Sequence, residues 1–363
     1  MLPCLALTTL LLPPPPGAEG SAACLGVGLE LAGRFGGVRP AAALPERFEL
    51  PRANIELGLA RGPIGARVVT NAVRAGGETG YVGIDGESVV PRIQVAEARL
   101  LVPKAGLGLS AGMVDDPWVI PGNNAWDLRA QAPGLAELEG WNEPADLGAT
   151  AAWTAPARWV SASLSLTGGE GYRRRERNGG QDLALSITAR PLAGTDAPDA
   201  LSLQLYARDG SSGLRYARDH RLGARATTRL PAACGGLELM RTWGVRGDAT
   251  QTPWGASGFW QQMPSPRSLG FVRIDRVDAL PASDDDTVLR GMLGAGFAPV
   301  PADTASGAAA PARLSLTVAH TRRDAAARAL GGSPAEAAET ALWLQLDLRA
   351  REALALHAPL PFP

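Results

Sequence analysis

The segment from Val160 to Thr167 reads VSASLSLT and sets Val160, Ala162, Leu164 and Leu166 against Ser161, Ser163, Ser165 and Thr167. Successive side chains of a strand point to opposite faces, so this stretch is a strand with one greasy face and one wet face. The pattern continues in both directions. Upstream, Leu25, Val27, Leu29 and Leu31 alternate with Gly26, Gly28 and Glu30, and Ile55, Leu57 and Leu59 with Asn54, Glu56 and Gly58. Ala66, Val68 and Thr70 follow less cleanly, because Val69 and Val73 fall on the wet parity. Then come Ala96 to Val102, Leu107 to Met113 and Leu147 to Trp153. Downstream, Leu183, Leu201 and Leu222 open further alternating runs, and the last sets Leu342, Leu344, Leu346 and Leu348 against Trp343, Gln345, Asp347 and Arg349.

About sixteen such runs of roughly ten residues can be counted, the length that crosses a bilayer at a tilt. Short turns with proline (Arg61 to Pro63, Pro103-Lys104, Ala155 to Ala157, Pro231 to Ala233, Met263 to Pro266) alternate with longer polar loops. Pro191 to Asp199 and Pro299 to Pro311 lengthen the short side. Sorting by parity predicts short periplasmic turns on one rim and long external loops on the other. The second face carries arginine, glutamate, serine and glutamine, and a lumen of this width is too large for side chains to fill. The fold class is therefore all-β: a transmembrane antiparallel up-and-down β-barrel whose polar face lines water and whose apolar face meets lipid. Closure leaves no unpaired sheet edge in hydrocarbon. The competing expectation is a secreted or cell-surface, non-transporting all-β protein, a sandwich or solenoid with a binding role, whose alternation would mark a buried sheet face.

The chain has 363 residues, 45% of them hydrophobic, and a formal charge of −1, which gives no reason to expect nucleic acid as a partner. Met1 to Ala23 has the look of an export signal, with an apolar core from Leu5 to Leu12, prolines at Pro13 to Pro16 and small residues Ser21, Ala22 and Ala23. The expected organisation is a signal peptide over 1–23, a barrel over 24–350 containing a long loop at 114–145, and a tail over 351–363. Three cysteines, of which cleavage would remove Cys4, define no disulfide framework. Localisation in the bacterial outer membrane follows from export plus membrane strands.

Three phrases resemble the outer-membrane porin family that includes the phosphate-selective porins. They are RIQVAEARLLVPKAGLGLSAGMVDDP from Arg92 to Pro117, the stretch from Pro144 to Pro191 with GGEG and GGQD, and GFVRIDRVDAL from Gly270 to Leu280. The resemblance implies a 16-strand homotrimeric channel for small polar or anionic solutes, set in outer-membrane lipid, with the third external loop folded into the lumen. The chain departs from that family at its end, where Phe362 stands next to last rather than last. With aromatic content at 5%, Trp153, Trp243, Trp254 and Trp260 are the candidates for interfacial girdles.

Rings of arginine select for anions in pores. Arg67, Arg99, Arg208, Arg221, Arg225, Arg229, Arg273 and Arg290 fall on the wet parity and are the candidate pore-lining bases; Arg221, Arg225 and Arg229 form a ladder on one strand. The segment from Val114 to Ala145 is the third long loop and the longest, and it carries Asp115, Asp116, Asp127, Glu137, Glu139 and Glu143. Folded inward, it would set acid on the loop against base on the wall. Anion or phosphate preference is the resulting expectation. His220, His320 and His357 are the candidate histidine bases, and no GxSxG, HExxH or Cys pair accompanies them, so the chain reads as no enzyme. Asp284 to Asp286 lack the spacing of a calcium loop, and Arg173 to Arg177 read as a solvated loop, so no cofactor or metal is expected.

Overall fold

The computed structural model describes residues 23–39, 48–74, 89–173, 179–195, 197–212, 217–245, 248–279, 286–301, 311–324 and 338–356. Residues 1–22 of the expected export signal, Arg174 to Arg177, Asp284, Asp285, His357 and Phe362 lie outside them. Sixteen strands close a barrel. They are β1 (Ala23–Arg39), β2 (Phe48–Arg61), β3 (Ile64–Arg74), β4 (Val89–Val102), β5 (Leu107–Asp115), β6 (Ala145–Thr154), β7 (Val160–Thr167) and β8 (Asp182–Ala189). The second half comprises β9 (Leu201–Asp209), β10 (His220–Leu230), β11 (Ala233–Trp243), β12 (Trp254–Ser265), β13 (Ser268–Asp278), β14 (Thr287–Phe297), β15 (Ala312–Arg323) and β16 (Ala338–Leu356). Each pairs antiparallel with its neighbours in sequence, and β16 closes on β1 with Leu31 opposite Leu348. The final strand runs through Leu356, beyond the boundary expected at Ala350.

Polarity is inverted relative to a soluble protein. Leu237, Leu293 and Leu205 on the outer face are 70%, 64% and 63% exposed, while Gln345, Thr317 and Arg273 on the inner face are at or near zero. Each such leucine would forfeit about 1.5–3 kcal/mol if its face were left in water. A closed barrel with this exterior belongs in hydrocarbon, where every backbone group must find its partner within the sheet. The secreted sandwich or solenoid is therefore excluded, and the barrel is an outer-membrane barrel. Trp153, Trp159 and Trp260 stand outward near the short-turn rim, and Trp243 and Trp254 close the long-loop ends of β11 and β12. The sparse aromatics thus still mark both membrane interfaces.

The imperfect alternation of β3 has a local cause. Val69 pairs with Val95, and the ladder then steps to Thr70 opposite Ile93, so Gln94 is an extra residue in β4. This bulge turns both Gln94 and Val95 inward. Val69 and Val95 pack with Ala145 against Met113 and Tyr172 at the foot of the third long loop.

Candidate functional site: the loop inside the barrel

Residues 116–144 do not lie over the mouth. They enter the lumen, forming helix α1 (Val119–Trp126) and the short helix α2 (Leu135–Leu138). Asp116 starts the entry: its Oδ1 accepts the backbone N–H groups of Trp118 at 2.8 Å and Val119 at 2.7 Å, satisfying donors at the opening of α1. Asn123 joins the helices, donating to Glu137 at 2.8 Å and accepting from the Gly134 N–H at 2.8 Å. Arg129 pairs with Glu137, so this carboxylate is held within the loop.

The apolar side chains of the loop find a floor on the barrel wall. Trp118, Leu135 and Trp141 pack with Tyr206, Met240, Val277 and Val288, and Trp126 and Leu128 pack with Leu269 and Phe271. Two wall glycines make room. A Cβ on Gly223 would lie 2.9 Å from the Trp118 ring, and one on Gly255 would lie 2.8 Å from the Trp141 ring, closer than side-chain contacts permit. Apolar residues on the wet parity are thus the footprint of the loop.

An irregular segment in a lumen leaves carbonyls without partners, and the wall supplies them. Arg221 donates to the Trp141 carbonyl at 3.1 Å, Arg225 to that of Trp118 at 3.0 Å and Arg229 to that of Asn124 at 3.1 Å. Arg273 donates to the Pro133 carbonyl at 2.6 Å, Arg349 to that of Asp127 at 2.8 Å and Gln204 to that of Pro117 at 2.9 Å, and Gln261 reaches the Trp126 carbonyl. Gln131 donates to Ser315 at 2.6 Å and accepts from Thr317 at 3.0 Å and Trp343 at 2.8 Å. Every wall group in this set lies on β9 to β16, so the loop is drawn to that half of the barrel.

The expected site residues therefore fall into distinct settings. The ladder Arg221, Arg225 and Arg229 grips loop backbone, and Arg225 also lies 3.9 Å over the Trp118 ring and pairs with Glu238 at 2.9 Å. Arg208 is held by Asp182 and by Asp219 at 2.5 Å, Arg221 also by Asp219, and Arg273 by Asp275 at 2.8 Å. Acid on the loop meets base on the wall at Glu139 with Arg290 and at Asp127 with Arg349 at 2.6 Å and Arg313 at 3.8 Å. Asp115, the last residue of β5, pairs with Arg67 at 2.5 Å. Arg67 also holds Glu56 at 2.7 Å, and Arg99 pairs with Glu97. Glu143 instead meets Arg173 of the next loop at 3.3 Å.

Burial raises the Asp127 carboxyl, but the Arg349 and Arg313 guanidiniums outweigh it and hold the group below the usual carboxylate range. Its side chain remains 38% exposed, so water reaches it. Burial also raises Glu137, and Arg129, Asn123 and the guanidinium of Arg52 on β2 bring it below its usual value. The field of Arg52 reaches Glu137 from β2. Arg52 and Arg129 thus join Glu137 in one charge cluster, although sequence parity could single out neither: Arg52 is one inward arginine among many, and Arg129 follows no strand pattern. Arg52 pairs with Glu30 and Arg34 with Glu49, and the side chains of Arg34 and Arg99 keep 28% and 29% of their surface open. Among the described residues no His, Cys, Asp and Glu group has the arrangement of a metal site.

No family model matches the sequence, and no curated protein is similar to it at a significant level. Solved structures are similar in fold. Outer-membrane expressed OmpT of Vibrio cholerae aligns over 92% of this chain and 99% of its own, with TM-score 0.60 and 7% identity. The anion-selective porin from Comamonas acidovorans aligns over 91% and 99%, with TM-score 0.59 and 11% identity. The outer membrane channel DcaP of Acinetobacter baumannii aligns over 92% and 99%, with TM-score 0.54 and 11% identity. These likenesses correct one expectation, that the chain is no enzyme. OmpT, which stands among the neighbours, is described as an outer-membrane protein and not as a pore, and a shared fold does not separate channel from catalyst. What the likeness does establish is architecture and place: the chain has the 16-strand barrel of outer-membrane porins and resides in the bacterial outer membrane.

Proposed function

We propose that the protein is a passive channel for small polar solutes, which pass between the inserted loop and the inner face of β1 to β4. The observation that carries this reading is the one-sided anchoring of the loop. All its wall donors lie on β9 to β16, while Arg34, Arg52, Arg67 and Arg99 on the facing wall keep part of their charge in water. A wet lumen narrowed by a held segment and lined with fixed charge filters by size and electrostatics.

Anion preference, with phosphate as one candidate solute, rests within this reading on Arg52 and Arg129, which are paired with Glu30 and Glu137 but keep 14% and 11% of their side-chain surface open, rather than on Arg221 and Arg225, which keep 2% and 5%. The chain resembles porins that are homotrimers, and a strip of small side chains from Ala66 and Ala98 through Ala111 to Ala149 gives the outer wall a flat face for such packing. Purified full-length protein added to a planar bilayer should give discrete conductance steps. In a salt gradient its reversal potential should take the sign of anion permeation. Membranes that stay silent at protein concentrations where incorporation is demonstrated would end the channel reading.

A further inference from the structure

Strand register lays out two rows on the lipid-facing wall. One passes from Ala207 and Leu222 to Arg241, Trp254 and Asp278. The next passes from Leu205 and Ala224 through Leu239 to Arg276 and Arg322. The three arginines stand near the long-loop ends of β11, β13 and β15, in register with outward side chains such as Leu239, Ile274 and Val318. At the same rim other strands turn Leu50, Ile93, Leu147 and Leu183 outward. Among the side chains described at this rim, these outward arginines fall on β11, β13 and β15.

Two features separate this sector from ordinary interfacial arginines, which reach freely from apolar surface into water. First, the guanidiniums are held down on the wall: Arg241 lies 5.9 Å over the Trp243 ring and Arg276 lies 5.6 Å over that of Trp254. Trp254 is itself fixed by donating to Asp278 at 2.9 Å. Among the described residues neither Arg241 nor Arg276 has a carboxylate within ion-pair range, and Arg322 has Asp324 at 3.9 Å. Arg52, Arg67, Arg225 and Arg273 in the lumen are, by contrast, matched with carboxylates. Second, a groove runs down the wall from Arg241, lined by Ile187, Leu205, Ala207, Ala224 and Leu239. It exists because the register sets small against large, Ala224 opposite Leu205 and Ala207 opposite Leu222.

Guanidinium groups without carboxylate partners at a membrane interface suit phosphate, which they grip through paired N–H donors. An apolar groove that opens to hydrocarbon suits an acyl chain. We propose that this sector binds a phosphorylated, acylated lipid of the outer leaflet, with its phosphate on Arg241 and Arg276 and one chain along the groove. The proposal rests on the outer-membrane location and is independent of conduction through the lumen.

The test uses full-length protein in neutral detergent, titrated with lipid A, with the same lipid A dephosphorylated and with inorganic phosphate, and read by native mass spectrometry. Phosphorylated lipid A should be retained, and the dephosphorylated form should bind about tenfold more weakly or worse. Inorganic phosphate alone should bind far more weakly than the phosphorylated lipid. R241Q/R276Q should lose roughly a hundredfold in affinity, about tenfold for each charge-assisted contact. A224L, which fills the groove without touching charge, should weaken lipid retention as well. Equal retention of the two lipids by the unaltered protein would overturn the proposal, as would undiminished binding by R241Q/R276Q. Equal affinity for lipid A and free phosphate would remove the groove from it. The two-lipid comparison needs no variant, so it decides even if the double substitution fails to assemble.

Discussion

Arg225→Ala removes the side chain with the most diverse hold on the inserted loop. Its guanidinium donates to the Trp118 carbonyl at 3.0 Å, to Gln204 at 2.7 Å and to Glu238 at 2.9 Å, and lies 3.9 Å over the Trp118 ring. Removing one partner of a buried ion pair costs about 3–5 kcal/mol, much of it from the carboxylate left behind. The part borne by the loop is smaller: one charge-assisted bond of about 1.5–3 kcal/mol and a ring contact of up to about 2 kcal/mol, together near 3 kcal/mol after incomplete additivity. Some 3 kcal/mol is roughly a hundredfold in a local opening equilibrium. Hydrogen exchange followed by mass spectrometry on the full-length protein should therefore show protection of residues 118–126 falling about a hundredfold, with the strands little changed. Adding Glu238→Gln separates the two costs. The double variant should regain global stability, because no bare carboxylate remains, and should keep the loop exposed. Unchanged protection of this segment in Arg225→Ala would refute the anchoring role, and full rescue by Glu238→Gln would assign the whole effect to the stranded charge.

Three further outcomes are expected. A depressed carboxyl pKa contributes stability that is present above the ordinary carboxylate range and is lost as pH falls through the depressed value, so the Asp127 anchor should survive the pH near 3.8 at which a free aspartate protonates; tryptophan fluorescence of the loop against pH checks this, and a transition above about pH 4 contradicts it. R52Q/R129Q should move the reversal potential in a KCl gradient toward cations, whereas R276Q on the outer wall should leave it in place. Deleting residues 117–143 removes Asp127, Glu137, Glu139 and Glu143 against one guanidinium, Arg129, and takes the loop carboxylates from Arg290, Arg313 and Arg349, so conductance should rise and selectivity should shift toward anions; an unchanged conductance would count against a constricting loop.

Much of the barrel can be read from the order of residues because period-two alternation and proline-bearing turns are local signals. Val160 to Thr167 needs no distant partner to declare its two faces. The loop is different. Its place in the lumen is decided by contacts between residues far apart in sequence, such as Gln131 with Ser315 and Trp343, and no local pattern encodes them. One trace does survive in the strands. Val69 in β3, Leu269 and Phe271 in β13 and Met240 in β11 break the wet face with apolar side chains, and each is buried on the inner wall. Met240, Leu269 and Phe271 lie under loop tryptophans, whereas Val69 packs at its foot. Interruptions of the polar parity, taken together, map where an inserted segment rests. The pairing of individual charges leaves no such trace, since every inward arginine looks alike until the loop is in position.

The chemistry of arginine explains why a row that reads as an anion ladder serves as a comb. The chain has 35 basic residues, of which Lys104 alone is lysine. A lysine ammonium is a compact, mobile point charge, whereas a guanidinium carries five donors in a fixed plane and can hold a carboxylate and a carbonyl at once. Arg225 does so with Glu238 and the Trp118 carbonyl, Arg273 with Asp275 and the Pro133 carbonyl, and Arg349 with both the side chain and the backbone of Asp127. Each such contact neutralises the wall charge and satisfies a loop carbonyl that would otherwise be left bare. Fixed charge visible to a passing ion is therefore what remains after this pairing. A tally of inward arginines thus overstates the field, and Arg52 with Arg129, paired with Glu30 and Glu137 yet partly open to water, should outweigh the buried Arg221 and Arg225 in setting selectivity.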